Sequence, residues 1–368
     1  MRLAIFGLSV TSSWGNGHAT TYRGLLRGLH LRGHEVDFFE RDVEWYARHR
    51  DLPCPEHARL RLYQDWPSVA PAARQVAREA DAVIVGSYFP DAVALLDDLL
   101  GHAGPPVCFY DIDTPVTLAS LRRGQCAYLR ADQIPAVDLY LSFTGGPMLS
   151  ELNSLWGARL VRPLYCACDE DAYRTPRRPA ASSCTLSFLG TFAPDRQAKL
   201  ERLLLQPAKL MPQHRFQVAG PMFPHPEQWP GNVHYVSHLA PAQHRAFYAG
   251  SRFTLNLTRQ AMVEAGYSPS VRLFEAAAAA TPIISDPWPG LTDFFEPGRE
   301  ILVAQSSQEV VEMLKDISAD AAAAMGRAAQ ARALSAHTCV HRARELESYL
   351  ALVTATAPSY TESALKVR

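Results

Sequence analysis

The stretch Ser268–Trp288, SPSVRLFEAAAAATPIISDPW, puts Arg272 and Glu275 at the start of an alanine-rich helix that runs straight into a strand. A helix N-terminus gathers unpaired backbone N–H groups and positive partial charge, so it accommodates an anion. Glu275, one turn in, suits ligand hydroxyls, Arg272 suits a phosphate, and Ser268 and Ser270 stand just ahead of the helix. These are the demands of a sugar nucleotide. The competing reading is an ordinary α/β unit, in which Ala276 to Ala280 pack on a sheet and Arg272 and Glu275 form a surface ion pair.

Working outward, short apolar runs alternate with helical patterns along the whole chain, the signature of parallel sheets covered by crossover helices. In the first half the runs are 3–7, 36–39, 82–86, 107–110, 138–143 and 160–161; in the second they are 185–189, 216–219, 233–236, 253–257, 282–285 and 301–303. A Pro-, Arg- and Ser-containing stretch, Asp169 to Ser183, separates the two series and reads as a linker. Two Rossmann-like, doubly wound α/β domains facing a central cleft follow, with ligands expected beyond the carboxyl ends of the strands. Ala319 to Leu352 reads as one long closing helical stretch, and the last residues as a frayed tail.

At 368 residues the chain exceeds what one core usually organises. A formal charge of −1 provides no basic field for nucleic acid, so none is expected as a partner. Seven scattered cysteines read as reduced thiols in a cytoplasmic protein. The N-terminal run MRLAIFGLSV lacks the length of a membrane span and reads as a first strand, so no transmembrane segment is expected.

After that strand comes TSSWGNGHATTYRGLL, where Trp14, Gly15, Asn16 and Gly17 form a cleft loop and a helix opens near His18. It is a poor dinucleotide fingerprint, because Thr20 stands where the third Gly belongs; Glu40, ending the second strand, is the one feature in favour of a nicotinamide. His18 at a cleft mouth suits a general base if a carboxylate orients it, with hydrogen bonding to its own loop as the plain alternative. His34, in a helix-to-strand turn, reads as structural. The fourth recognised strand ends in YDIDTPVTL, where Asp111 or Asp113 is placed to orient His18 or to act as base itself; one of them is expected to cap the helix that Pro115 begins. Gly145, in FTGGPMLSEL, shapes the cleft or merely a turn. In the second half, Gly190 and Thr191 end a strand before a helix, and Arg196 and Arg259 sit near strand ends as phosphate contacts. No ligand cluster for a metal stands out beside them.

Together, WGNGHATTYRGLLRGL, YDIDTPVTL, LSFLGTFAPDR, SPSVRLFEAAAAATPIISDPWPGL and FFEPGREILV resemble a GT-B glycosyltransferase of the spore-maturation (CgeB-type) group, from Met1 to about Leu352. The resemblance implies an acceptor-binding domain over 1–165, a nucleotide-sugar-binding domain over 166–335, a helix over 336–354 returning to the first domain, and a tail over 355–368. It further implies that Glu275 holds the donor ribose, that Arg196 and Arg259 lie near its diphosphate, and that Gly190 and Thr191 line its pocket. Two departures stand out. Ala280 occupies a position often held by Gly, and Tyr267 stands where the paired-glutamate pattern of many retaining GT-B enzymes has its first Glu. With His18 where inverting enzymes of this fold often place their base, inversion is favoured.

The expected activity is transfer of a sugar from a nucleoside-diphosphate donor, UDP by default, to an acceptor hydroxyl of unknown kind, with no cofactor or metal. The alternatives are a GT-B-shaped sugar-nucleotide epimerase and a non-catalytic sugar-nucleotide-binding protein.

Overall fold

Strands such as Arg2–Phe6 and Ala82–Gly86 are apolar on both faces, so each needs cover from helices on two sides. The computed structural model, which describes residues 1–174 and 182–356, supplies that cover with two parallel sheets. The first contains β1 (Arg2–Phe6), β2 (Glu35–Arg41), β3 (Arg59–Tyr63), β4 (Ala82–Gly86), β5 (Val107–Asp111), β6 (Leu139–Ser142) and β7 (Val161–Pro163), in the order β3-β2-β1-β4-β5-β6-β7. The second contains β8 (Cys184–Leu189), β9 (Phe216–Ala219), β10 (Val233–Val236), β11 (Ser251–Asn256), β12 (Ile283–Ser285) and β13 (Leu302–Val303), ordered β10-β9-β8-β11-β12-β13. In both, the order reverses direction beside the first strand, which opens a crevice at the carboxyl edge.

One strand is absent from the sequence reading. In β3, RLRLY, leucines alternate with Arg59 and Arg61, so no apolar run marks it. It forms because it is an edge: Arg59 pairs with Glu35 (3.1 Å) and Arg61 with Asp37 (3.0 Å) on β2. The long closing helix is a second difference, since it is two helices, Ala319–Ala336 and Cys339–Thr356. The break lies where the chain crosses between domains: Cys168 N–H donates to the His337 carbonyl (2.9 Å), and Cys339 N–H donates to that of Cys168 (3.1 Å). Of the expected linker, 169–183, Asp169 caps a short helix, Glu170–Tyr173, and 175–181 lie outside the described residues, as do 357–368 of the expected tail. Residues 355–356 still belong to the last helix.

That last helix packs on helix Gly17–Leu31 of the first domain. Glu347 accepts from Arg32 Nη2 (2.7 Å) and pairs with His34, whose other ring nitrogen contacts the amino terminus (3.0 Å), in agreement with a structural role for His34. The helices approach closely because Gly28 has no side chain; a Cβ there would lie 2.2 Å from the Cys339 carbonyl oxygen. The domains also meet directly, Gly145 N–H donating to the Tyr267 carbonyl (2.9 Å) and Thr144 Oγ1 to Ser268 Oγ (3.0 Å). Among the described residues no helix is long and apolar enough to cross a membrane.

Gly28→Ala should force the last helix off the first domain at a cost of roughly 1–3 kcal/mol, outweighing about 1 kcal/mol gained in helix propensity. A lower midpoint in urea-induced unfolding is the expected result. An unchanged or higher midpoint would show that the contact has slack.

Candidate active site

Between the carboxyl edges of the two sheets lies a cavity of about 650 Å³. On the C-terminal side its floor is the segment 268–275, its walls the ends of β8 and β11. Helix Val271–Ala278 has Ser270 at its N-cap position, yet Ser270 makes no cap, because its hydroxyl donates to Asn256 Oδ1 (2.7 Å). The first amides of this helix therefore have no side-chain partner at the mouth of the site. Glu275 is buried: Oε2 accepts from the Tyr248 hydroxyl (3.2 Å), and Oε1 has no hydrogen-bond partner. A buried carboxylate oxygen without a donor is a strong acceptor waiting for one.

Three guanidinium groups converge here. Arg272 is buried over the Phe188 ring (4.8 Å), donating to the Leu189 carbonyl and to Asn256 Oδ1 (3.3 Å). It fits because Gly190 has no side chain; a Cβ there would lie 2.4 Å from Arg272 Nη2. Arg196 donates to the Thr191 carbonyl, and its Nε is buried without a partner. Arg259 lies 3.6 Å from Asp195 and its Nε makes no hydrogen bond. Burial first, then the neighbouring Arg272 and Arg259, pushes the Arg196 guanidinium below its usual range; burial does the same to Arg272. Crowded cations that weaken one another are relieved by a polyanion. Asp286 offsets this only in part for Arg196 and Arg272, and it is already held by Lys199 (2.7 Å) and by the Thr258 hydroxyl and amide (both 2.9 Å).

On the N-terminal side Gly15, Asn16, Gly17 and His18 line the cavity. Asn16 caps helix Gly17–Leu31 by accepting from His18 N–H (3.0 Å), and Gly15 takes φ 59°, a conformation that favours glycine. His18 Nε2 lies 3.4 Å from Asp113 Oδ2, and Nδ1 is buried without a partner. Asp113 sits at the N-cap of helix Thr114–Arg122 without capping it by its side chain, which leaves the carboxylate to His18. Trp14 is at the rim, stacked on His49 (4.2 Å) and tilted against His238 of the other domain (4.6 Å).

Three expectations are corrected. Asp111 does not face the cleft: it is fully buried and accepts from Tyr140 (2.6 Å) and Thr117 (2.7 Å), so Asp113 alone is placed to orient His18. Gly145 does not shape the cavity either; it is pressed against Tyr165, where a Cβ would lie 2.0 Å from the hydroxyl oxygen. Glu40 offers nothing to a ribose, because Ser9, Val10 and Thr11 engage both its oxygens (2.6–3.0 Å) and it clamps the loop after β1. Tyr267, at the position of the missing Glu, has φ 47° and packs against Gly146 and Gly290 between the domains.

Sequence reasoning missed Lys199, which locks the β11 loop through Asp286, and Tyr88, which lines the cavity beside His18 (5.2 Å between rings). Lys199 lies three residues after Arg196, one helical turn on, a spacing that was legible. Tyr88 follows β4 with φ 62°, and nothing local announces that. Among the described residues no group of three or more His, Cys, Asp and Glu side chains assembles as a metal site.

Burial pushes the Asp111 carboxyl up to about 6, against the lowering effect of the Tyr140 and Thr117 hydrogen bonds. A carboxyl whose folded pKa exceeds its unfolded one contributes stability that is whole below about pH 4 and lost as pH rises through about 6, on the order of 3 kcal/mol. Asp111→Asn should therefore flatten the fall in stability between these pH values, read from urea unfolding at each pH. Parallel curves for the two proteins would mean that Asp111 is charged in the folded state.

Residues 196–348 match the family model described as Glycosyl transferase-like. No curated protein sequence matches the chain. Among solved structures, sucrose-phosphate synthase from Thermosynechococcus elongatus is 14% identical with TM-score 0.70, over 96% of this chain and 99% of that one. HepE from Anabaena, in complex with UDP-glucose, is 14% identical with TM-score 0.67, over 96% and 100%. An α-glucosyltransferase in complex with UDP and a 13-mer DNA is 14% identical with TM-score 0.72, over 95% and 99%. The chain thus has the GT-B fold across both domains, and the match in its C-terminal part bears out the expectation of an enzyme of the glycosyltransferase type.

Proposed function

We propose that the protein transfers a sugar from a nucleoside-diphosphate donor, UDP by default, to an acceptor hydroxyl, with the donor on the C-terminal side and the acceptor on the N-terminal side. The observation that carries this reading is the convergence of Arg196, Arg259 and Arg272 beside a helix N-terminus without a side-chain cap, with a buried carboxylate behind them, Asp286, already held by Lys199. A diphosphate supplies the missing negative charge, and as the sugar departs these groups stabilise the charge left on it without a metal. Glu275, one turn deeper, accepts from the ribose hydroxyls. HepE, similar in fold, was solved with UDP-glucose, which supports UDP as the default. The quoted motifs support the CgeB-type group, and the scattered cysteines support a reducing cytoplasmic setting.

For the chemical step we place the base at the His18–Asp113 pair. His18 takes the proton of the acceptor hydroxyl, Asp113 stabilises the resulting imidazolium, and the oxygen displaces the diphosphate with inversion. One observation favours a second assignment: Asp113 is the more exposed of the two, 24% against 11% for the His18 side chain. In that assignment Asp113 is the base and His18 orients it.

His18→Ala should lower turnover by about a hundredfold to ten-thousandfold with little effect on donor affinity. Asp113→Asn more damaging than His18→Ala would favour Asp113 as base, and a product that retains the donor's anomeric configuration would discard direct displacement. Arg196→Ala and Arg259→Ala should weaken UDP more than uridine in calorimetric titration, whereas Glu275→Ala should weaken both. Equal losses for both ligands in the arginine variants would remove those residues from the phosphate site. Turnover should survive EDTA; full loss with recovery on adding manganese would reassign Asp113 to a metal.

A further inference from the structure

The two walls of the cavity differ in chemistry. The C-terminal wall carries Arg196, Arg259 and Arg272. On the N-terminal wall, among the described residues, no Lys or Arg lines the cavity and Asp113 is the one carboxylate, while Leu8, Tyr46, Tyr88, Ile112 and Phe143 provide the apolar surface beside Ser13, Asn16, Thr20 and Thr21. Charged groups of the first domain do lie nearby, but they are engaged with each other. Asp51 is held by Arg23 through both oxygens (2.8 and 3.0 Å) and by Ser13 (2.8 Å), and Glu40 is clamped by its loop. Three of the wall's polar side chains are engaged within the protein, Ser13 Oγ donating to Asp51 (3.1 Å), Thr21 Oγ1 to the Gly17 carbonyl (3.3 Å) and Asn16 capping its helix.

Tyr88 is held in place at some cost. Its φ of 62° is uncommon for a residue with a side chain, and its ring stands edge-on to His18 (5.2 Å, 85°) and against Tyr128 (4.6 Å). Strain of this kind persists where the surroundings enforce it, often at functional sites. The result is an aromatic surface beside the proposed base.

An acceptor rich in hydroxyls would lose water on this wall and find few partners, and each buried unpaired hydroxyl costs about a factor of ten or more in affinity. An anionic acceptor would meet no Lys or Arg of this wall; the cation that reaches Tyr88 is Arg259 of the opposite wall, which the donor diphosphate engages in the reading above. We propose that the acceptor is a compact aromatic alcohol or phenol, with its ring against Tyr46 and Tyr88 and its hydroxyl at the His18–Asp113 pair. This rests on the sugar-transfer reading above. In the step itself the hydroxyl proton passes to that pair, the acceptor oxygen bonds the anomeric carbon, and the bond to the diphosphate breaks with its electron pair leaving on the nucleotide. Aromatic rings gain from offset or edge contact with such a wall beyond the area they bury.

Calorimetric titration of the full chain, saturated with UDP, tests the proposal with three probes: 4-methylumbelliferone, maltotriose and fructose 6-phosphate. The phenol should bind at least about tenfold more tightly than either sugar. Tyr46→Ala and Tyr88→Leu should each weaken the phenol several-fold while UDP affinity, set by the opposite wall, reports that the variants are folded. Equal or tighter binding of maltotriose or fructose 6-phosphate by the wild-type chain would overturn the proposal, as would variants that bind UDP and keep full affinity for the phenol. The same titration without UDP ranks the three probes independently, so a failure of UDP to bind sinks the donor reading while the ranking still decides the acceptor.

Discussion

A buried guanidinium holds the site together. Arg272 lies in the interior with its charge directed at the Leu189 carbonyl and Asn256 Oδ1 and its plane over Phe188 (4.8 Å). Such a group is stable only where acceptors surround it. Those acceptors belong to the ends of β8 and β11, so the requirement draws two strand ends and the start of helix Val271–Ala278 into one place. Asn256 extends the arrangement, accepting from Ser270 (2.7 Å) and donating to Ser285 (2.9 Å) at the end of β12. Gly190 is needed for the same reason, since a side chain there would occupy the space of the guanidinium.

The segment that provides the floor of the cavity also joins the domains. Tyr267 and Ser268 contact Gly145 and Thr144, and the Pro269 carbonyl faces the thiol of Cys166 (3.6 Å). Behind them, Arg342 donates to the Cys166 carbonyl (3.1 Å) and to His337 Nδ1 (2.7 Å), and His337 packs on Phe274 (4.6 Å between rings). Burial and the adjacent Arg342 push the His337 imidazole down to about 3, so it is neutral in this setting. Both crossings of the chain between domains are thereby fastened beside the helix that carries Glu275. The segment that joins the domains here, Ser268 to Ser270, is also part of the lining of the cavity.

Much of this architecture was legible because buried strands of a parallel sheet are written as apolar runs. Twelve of the thirteen strands coincide with such runs, and the exception, β3, is an edge whose arginines answer acids on β2. The resemblance places the start of a returning helix at 336, close to the observed break at His337, but the residues there do not show its cause, which is the distant Cys168. Asp111 and Asp113 look equivalent in YDIDTP; only the hydroxyls of Tyr140 and Thr117, one of them from a different strand, separate a buried acid from one that faces the cavity.

Local chemistry by itself determined the alternation of strands and helices, the two-sheet organisation and the residue types at the strand ends, including His18, Arg196, Arg259, Arg272 and Glu275. Those features follow from periodicity and from short-range turn and helix-start preferences, which act over a few residues. Tertiary structure alone decided which of them share one cavity, which acids are already paired, and that Gly145 and Tyr267 serve the contact between domains. The reason is physical: pairing, burial and close approach depend on partners as much as 315 residues away, as in the bond of Arg32 to Glu347, and no local pattern encodes which group will lie opposite.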